Sequence, residues 1–226
     1  MFLATTAIEE FWSKNEKKIL LAGEWCRVYK KKYSVKTECL PFVWNDVKDV
    51  HRAQVYCSKI YENTLLKITD SINNHLGINK ETDYYRILLG NWLIHFIHQA
   101  YDKYQILEFA KKADTIFTWT LEERQYYYPF DFNDYALKTH DDIYQLQLFS
   151  EVVRFMEIPN RSKKITNPIK LKENLTFDHN PRNIKKAIKK GFLLLANSLK
   201  RHRQVVIVNP YIKRYSLLLN FLLCIK

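Results

Sequence analysis

Lys18-Ile19-Leu20-Leu21-Ala22-Gly23-Glu24-Trp25-Cys26 is the stretch whose reading decides the fold class. Charged residues end at Lys18, an unbroken apolar run follows, and Gly23 closes it before polar and aromatic residues resume. A short continuous apolar run closed by glycine reads as a strand buried on both faces. In an open parallel sheet, ligands bind just beyond the carboxyl ends of the strands. Gly23-Glu24-Trp25-Cys26 falls at that place. Gly23 permits a turn that a side chain would obstruct, Glu24 offers a carboxylate, and Trp25 offers a flat face. The competing reading is a plain strand-to-loop junction with Trp25 as a core plug.

Working outward, Thr6-Ala7-Ile8-Glu9 fits a capping box that opens a short helix through about residue 13. Residues 37–43 read as a second strand, ending in Pro41-Phe42-Val43-Trp44-Asn45-Asp46. Asn45 or Asp46 then caps a helix over residues 47–76, whose Val50, Ala53, Cys57, Ile60, Leu65, Ile68 and Ile72 approximate one stripe at helical spacing. Gly77 stops it as a C′ residue. Residues 84–113 predict a second long helix, apolar on most sides and therefore expected to be largely buried. Residues 116–120 read as another strand, Pro129 and residues 131–134 as a polar loop. Asp141-Asp142 begins a helix carrying Ile143, Leu146, Phe149, Val152 and Val153. Strands alternating with helices argue a parallel α/β sheet. The predicted strands are 17–22, 38–43, 115–120 and 204–208. The expected fold is a Rossmann-like, mainly parallel sheet with long flanking helices, followed by the start of a second α/β unit.

Composition changes in the last third. Residues 160–226 carry 16 Lys/Arg against only Glu173 and Asp178, while residues 1–159 carry 20 Lys/Arg and 22 Asp/Glu. The whole net charge of +12 therefore comes from the C-terminal stretch. Such a stretch attracts polyanions: nucleic acid, anionic lipid or phosphate-bearing substrates. The expected organisation is an N-terminal α/β domain over 1–158, a basic linker or loop over 159–181, and a basic helix, strand and the opening of a second unit over 182–226. The apolar run near Lys226 suggests that a longer protein continues past it.

None of the four cysteines is spaced C-x-x-C, so they read as reduced thiols of a cytoplasmic protein. The N-terminus lacks the basic and long apolar regions of a signal peptide. The chain has four glycines, Gly23, Gly77, Gly90 and Gly191. They build neither G-x-G-x-x-G nor G-x-x-x-x-G-K-[ST], so the dinucleotide fingerprint and the P-loop are both missing.

Several segments resemble one family in combination. Phe2-Leu3-Ala4-Thr5-Thr6 with Glu9-Glu10-Phe11-Trp12 is similar to the start of a group of transferases encoded in O-antigen and other surface-polysaccharide gene regions. Leu21-Ala22-Gly23-Glu24-Trp25-Cys26, Pro41-Phe42-Val43-Trp44-Asn45-Asp46 and Arg86-Ile87-Leu88-Leu89-Gly90-Asn91-Trp92-Leu93 resemble further segments of that group. So do Leu148-Phe149-Ser150-Glu151 and Ile207-Val208-Asn209-Pro210-Tyr211. The resemblance implies two Rossmann-like halves, as in glycosyltransferases of the B type. The donor nucleotide then binds mostly the C-terminal half and the acceptor side lies on the N-terminal half. It implies a nucleotide-sugar donor and a polysaccharide or lipid-linked acceptor as partners, and carries over no catalytic residue.

Ranked by chemistry, Glu24 is the leading base candidate, since a carboxylate at a strand's carboxyl end can face an acceptor hydroxyl. The alternative is a surface carboxylate paired with Arg27. Gly23, Trp25, Trp44, Asp46 and Arg86 complete the candidate substrate-binding set. Trp25 and Trp44 either stack on a sugar ring or pack internally. Arg86 either grips a phosphate or holds a carboxylate such as Glu24 or Asp46. His95, His98 and Asp102 share one helix at a spacing that permits metal binding, but a single helix rarely supplies a closed site. No metal or cofactor is assigned. Alternatives to catalysis are an anionic-membrane-binding module, peripheral at the inner membrane face, and a nucleic-acid-binding module. The last is disfavoured by the scarcity of aromatics for stacking in the basic third.

Overall fold

The computed structural model describes residues 1–28 and 35–166. Among the described residues there are five short strands: β1 (Phe2–Ala4), β2 (Lys18–Leu21), β3 (Lys36–Cys39), β4 (Thr118–Leu121) and β5 (Asn160–Lys163). Four α-helices accompany them: α1 (Val47–Leu76), α2 (Thr82–Ala113), α3 (Phe132–Lys138) and α4 (Asp142–Phe155).

Every strand pairing is parallel. β2 lies between β1 and β3, with Leu3 opposite Leu20 and Leu21 opposite Cys39. β4 pairs with β5, Thr118 opposite Asn160. The two ribbons meet along β1 and β4 through a bridge between Phe2 and Phe117. The Leu3 N–H donates to Phe117 O at 2.9 Å, and Thr118 Oγ1 donates to Leu3 O at 2.7 Å. Read across, the order is β3-β2-β1-β4-β5. The chain winds outward from β1 to β3, then crosses back through α1 and α2 to start again on the other side of β1. That is the Rossmann-like, parallel α/β sheet expected from the sequence, with α2 and α4 on one face and the strand order reversing at a switch point between β1 and β4.

The unbroken apolar run of β2 is explained by this placement. Leu3 and Leu20 pack with Ile106, Leu107 and Ala110 of α2 and Phe149, Val152 and Val153 of α4. Phe2, Ala4, Ile19 and Leu21 point to the opposite face, against Trp12 and Cys26. Alternation across the pleat thus buries both sides of a central strand.

The α1–α2 pair is an antiparallel hairpin with legible ends. Asp46 caps α1 by accepting from the Lys48 N–H at 2.8 Å. Gly77 ends it in the left-handed region, at φ 62°. Asn73 ties the turn, donating to Lys80 O at 2.8 Å and accepting from the Lys80 N–H at 3.1 Å and the Tyr85 hydroxyl at 2.7 Å. Only the C-terminal third of α2 packs on the sheet. The rest rises past the carboxyl edge beside α1.

Several expectations need correction. β1 was not expected, because three residues are too short to show a period. β3 begins at Lys36 and stops at Cys39, so residues 40–43 belong to the loop. β4 ends one residue later than expected, at Leu121. The capping box opens only a single 3-10 turn, Glu9–Phe11; Thr6 Oγ1 accepts from the Ile8 N–H, two residues on rather than three. The polar loop near residue 131 contains α3, capped by Asp131. α2 is buried on one stripe, leaving Ile87 85% and Leu88 52% exposed. β5 arises in a stretch that composition reads as linker; as a polar edge strand it carries no hydrophobic signal. The predicted strand at 204–208, the basic helix and the second α/β unit lie outside the described residues.

Candidate functional site

Because all five strands are parallel, Ala4, Leu21, Cys39, Leu121 and Lys163 end on one edge. The residues just beyond that edge are where this fold holds ligands.

Gly23, Glu24 and Trp25 follow β2, as the sequence implies. Gly23 is extended, with φ 178°. Its lack of a side chain matters for space instead: a Cβ there would lie 1.9 Å from Trp25 Cζ3. The indole lies over the glycine, stacks toward Phe149 with ring centroids 6.4 Å apart, and remains 39% exposed. Glu24 gives both carboxylate oxygens to Arg27 Nη1, at 2.8 and 2.9 Å, and its side chain is 70% exposed. Burial, then the neighbouring Glu24 carboxylate, pushes the Cys39 thiol up to about 11.

Trp44 and Asp46 follow β3. Trp44 Nε1 donates to Asp102 Oδ1 at 2.7 Å, and Asp102 also pairs with Lys103 at 3.0 Å. Asp102 is therefore engaged away from His95 and His98. No cluster of metal-ligating side chains occurs among the described residues.

Arg86 lies elsewhere. It forks onto Glu62 of α1 at 2.7 and 2.8 Å and touches Asp83 at 3.4 Å. Glu62 stands 16 residues beyond Asp46 on α1, or about 24 Å at the helical rise. Arg86 braces the hairpin well above the turns that hold Glu24 and Asp46.

The switch point itself lies between the turns after β1 and β4. Ile8 and Phe11, after β1, pack against Leu121 at the end of β4 and Leu146 of α4. The first of these turns offers little to a phosphate. Thr5 and Thr6 are buried, the Ile8 N–H is spent on Thr6 Oγ1 at 3.2 Å, and Thr6 O accepts from Trp12 Nε1 at 2.7 Å.

The turn after β4 is held by one face of α4. Gln147 bonds both backbone groups of Tyr127, at 2.8 and 3.0 Å. Ser150 Oγ accepts from the Leu121 N–H at 2.9 Å. Arg154 donates to Leu121 O at 2.6 Å and to the Tyr126 hydroxyl. Positions 147, 150, 151 and 154 recur at helical spacing, so Glu151 faces the same turn. Burial pushes the Glu151 carboxyl up to about 7; hydrogen bonding to Gln147 and the charge of Arg154 oppose that rise, and the charge of Glu123 adds to it. Burial also raises the phenols of Tyr126 and Tyr144 beside it. Sequence reasoning passed over Glu151 as a site residue, although it closes Leu148-Phe149-Ser150-Glu151, one of the segments that carried the resemblance.

A family model described as LIC12162 family transferase matches residues 1–226, the full chain. The chain belongs to the LIC12162 family of transferases. Comparison with curated proteins and with solved structures finds no match. No helix among the described residues is long and apolar enough to cross a membrane.

Proposed function

We propose that the domain over residues 1–158 is the acceptor-side half of a glycosyl or related group transferase acting in surface-polysaccharide or O-antigen assembly. The family supports the transfer chemistry. One observation supports the acceptor side: the turn after β1, where a Rossmann-like domain cradles phosphate, is closed by its own hydrogen bonds and has no glycine. In its place the carboxyl edge offers carboxylates and aromatic faces. That is chemistry suited to a polyhydroxylated ring rather than to a diphosphate.

In this reading a nucleotide-sugar is the donor, held mainly by a second half, and a polysaccharide or lipid-linked sugar is the acceptor. The excess positive charge of residues 160–226 supports attachment to an anionic membrane surface, on the cytoplasmic side where lipid-linked precursors are built. Trp25 serves as a stacking face for the acceptor.

Calorimetric titration of the chain with a panel of nucleotide-sugars, and saturation-transfer NMR with fragments of surface polysaccharide, test the proposal. Weak or no donor binding with saturable binding of a polysaccharide fragment is expected. Tight, saturable binding of a nucleotide-sugar to this chain would overturn the acceptor-side assignment.

A further inference from the structure

Resting on the acceptor-side reading above, we propose that Trp25, Asp102 and Lys103 form a subsite for one pyranose ring of the acceptor. The indole stacks on the sugar, and the Asp102–Lys103 pair holds two adjacent hydroxyls. The turns after β2 and β3 lead to this place. The two strands are neighbours, about 4.8 Å apart, and both turns fold toward the face of the sheet that α2 and α4 cover. Trp25 stacks toward Phe149 of α4, and Trp44 reaches Asp102 of α2.

Lys103 is the telling residue. α2 packs on Leu3 and Leu20 through Ile106, Leu107 and Ala110. Lys103 lies three, four and seven residues before these, so it belongs to the same stripe. α2 runs against the strands, since it ends at Ala113 and β4 sets out from the amino edge at Thr118. One turn before Ile106 is therefore one turn nearer the carboxyl edge. The Lys103 side chain is only 12% exposed; its ammonium lies 3.0 Å from Asp102 Oδ2 and 5.3 Å from the centre of the Phe149 ring. A mostly buried ion pair seldom stabilises more than apolar groups of the same volume, so an apolar residue would serve this stripe as well. The lysine instead argues for a ligand that uses its charge.

The groups that converge here suit a neutral sugar. A carboxylate offers about four acceptor sites and an ammonium three donors. Trp44 Nε1 takes one site on Asp102 Oδ1 at 2.7 Å, and Lys103 takes one on Oδ2 at 3.0 Å. Each oxygen can still accept from a hydroxyl, and Lys103 can still donate to one. Trp44 fixes the carboxylate beforehand, which spares the ligand the cost of ordering it. The pair has no net charge, so it favours hydroxyls over a phosphate. The approach is open, with the Asp102 side chain 34% and Trp25 39% exposed. Phe149, 1% exposed, is the floor against which both the indole and the ammonium lie. An aromatic face beside a few fixed polar groups binds and orients a polyhydroxylated ring.

NMR of the full chain with 15N-labelled tryptophan tests this. The probes are the methyl glycosides of glucose, galactose, mannose and N-acetylglucosamine. Binding is followed by saturation transfer to the sugar and by the indole N–H signals, because the Trp44 N–H reports on Asp102. At least one glycoside is expected to bind saturably and to shift the Trp25 and Trp44 signals together. Asp102→Asn and Lys103→Met are each expected to raise its Kd roughly 10- to 100-fold, the worth of a hydrogen bond to a charged group. An ion pair that only supports the fold would give less stable variants with the parent Kd, and that result overturns the proposal. If Lys103→Met does not fold, Trp25→Ala carries the test: loss of the Trp44 shift supports the subsite, and binding at the parent Kd overturns it. Saturable binding that leaves Trp25 and Trp44 unmoved overturns the subsite and leaves the acceptor-side reading standing. Binding of none of the four overturns the subsite, and the acceptor-side reading falls with it only if polysaccharide fragments also fail to bind.

Discussion

Gln147 pairs with the backbone of Tyr127 as a neighbouring strand would: its Oε1 accepts from the Tyr127 N–H at 2.8 Å, and its Nε2 donates to the Tyr127 carbonyl at 3.0 Å. Gln147 is 3% exposed, so neither bond is easily replaced by water. Gln147→Leu keeps the volume but strands a backbone donor and acceptor. Each such group costs about 1–3 kcal/mol when left unsatisfied. A loss of roughly 2–4 kcal/mol is expected in urea denaturation, together with faster hydrogen exchange at the Tyr127 amide. An unchanged exchange rate there would mean that the turn after β4 is held by something other than α4.

The Glu151 carboxyl makes stability depend on pH in a defined direction. Its folded value, about 7, lies above the ordinary 4.5. The folded state therefore binds the extra proton between those values, and stability falls as pH rises through that window. Below about pH 4.5 both states are protonated and the group is neutral in its effect; above about pH 7 the full cost of ionising it in place is felt. Glu151→Gln removes this cost. The variant is expected to match the parent near pH 4.5 and to exceed it by about 1–3 kcal/mol at pH 8, partial solvent contact trimming the figure that the shift alone implies. Parallel denaturation curves at the two pH values check this, and equal differences at both would place the carboxyl at its ordinary value.

Gly23 tests the seating of Trp25. A methyl group at residue 23 would occupy the space of the indole, so Gly23→Ala must move the ring away from Phe149. Overpacking of this kind costs about 1–3 kcal/mol. The penalty is expected to vanish when Trp25→Ala is already present, because the clash then has no partner. A double-mutant cycle measures this coupling, and tryptophan fluorescence should report the displaced ring in Gly23→Ala alone. Additive effects would show that Gly23 is needed for its backbone and not for Trp25.

The reach of the sequence differs from element to element, for physical reasons. α1 was legible to the residue, since Asp46 and Gly77 are local signals whose action needs no distant partner. β2 was legible because a strand covered on both faces must be apolar throughout. β1 and β5 were not: one has three residues, and the other is an edge strand whose Asn160, Arg161 and Ser162 are exposed. The candidate site divides in the same way. Gly23, Glu24 and Trp25 could be placed at the sheet edge from one local pattern. Glu151 could not, because Leu146, Phe149, Val152 and Val153 define the apolar stripe of α4 and leave 147, 150, 151 and 154 looking like its solvated face. Only the turn from Leu121 to Tyr127, packing back from 20 to 29 residues away, covers them.

Arg86 supplies the last prediction. The family-like segment that begins with it, and the affinity of arginine for phosphate, made it a candidate ligand contact. Its guanidinium instead forks onto Glu62 and touches Asp83, joining the two helices of the hairpin at an exposed place. An exposed pair of this kind contributes little to stability and is screened by salt. Arg86→Ala is therefore expected to lower the denaturation midpoint slightly at low ionic strength, with the difference fading by about 0.5 M salt. Glu62→Ala should do the same, and the double variant should be no worse than either single one. If Arg86 instead held a donor phosphate, Arg86→Ala would raise KM for the nucleotide-sugar while Glu62→Ala left it unchanged. Matching kinetics in the two variants, against that split, decides whether residue 86 belongs to the scaffold or to the site.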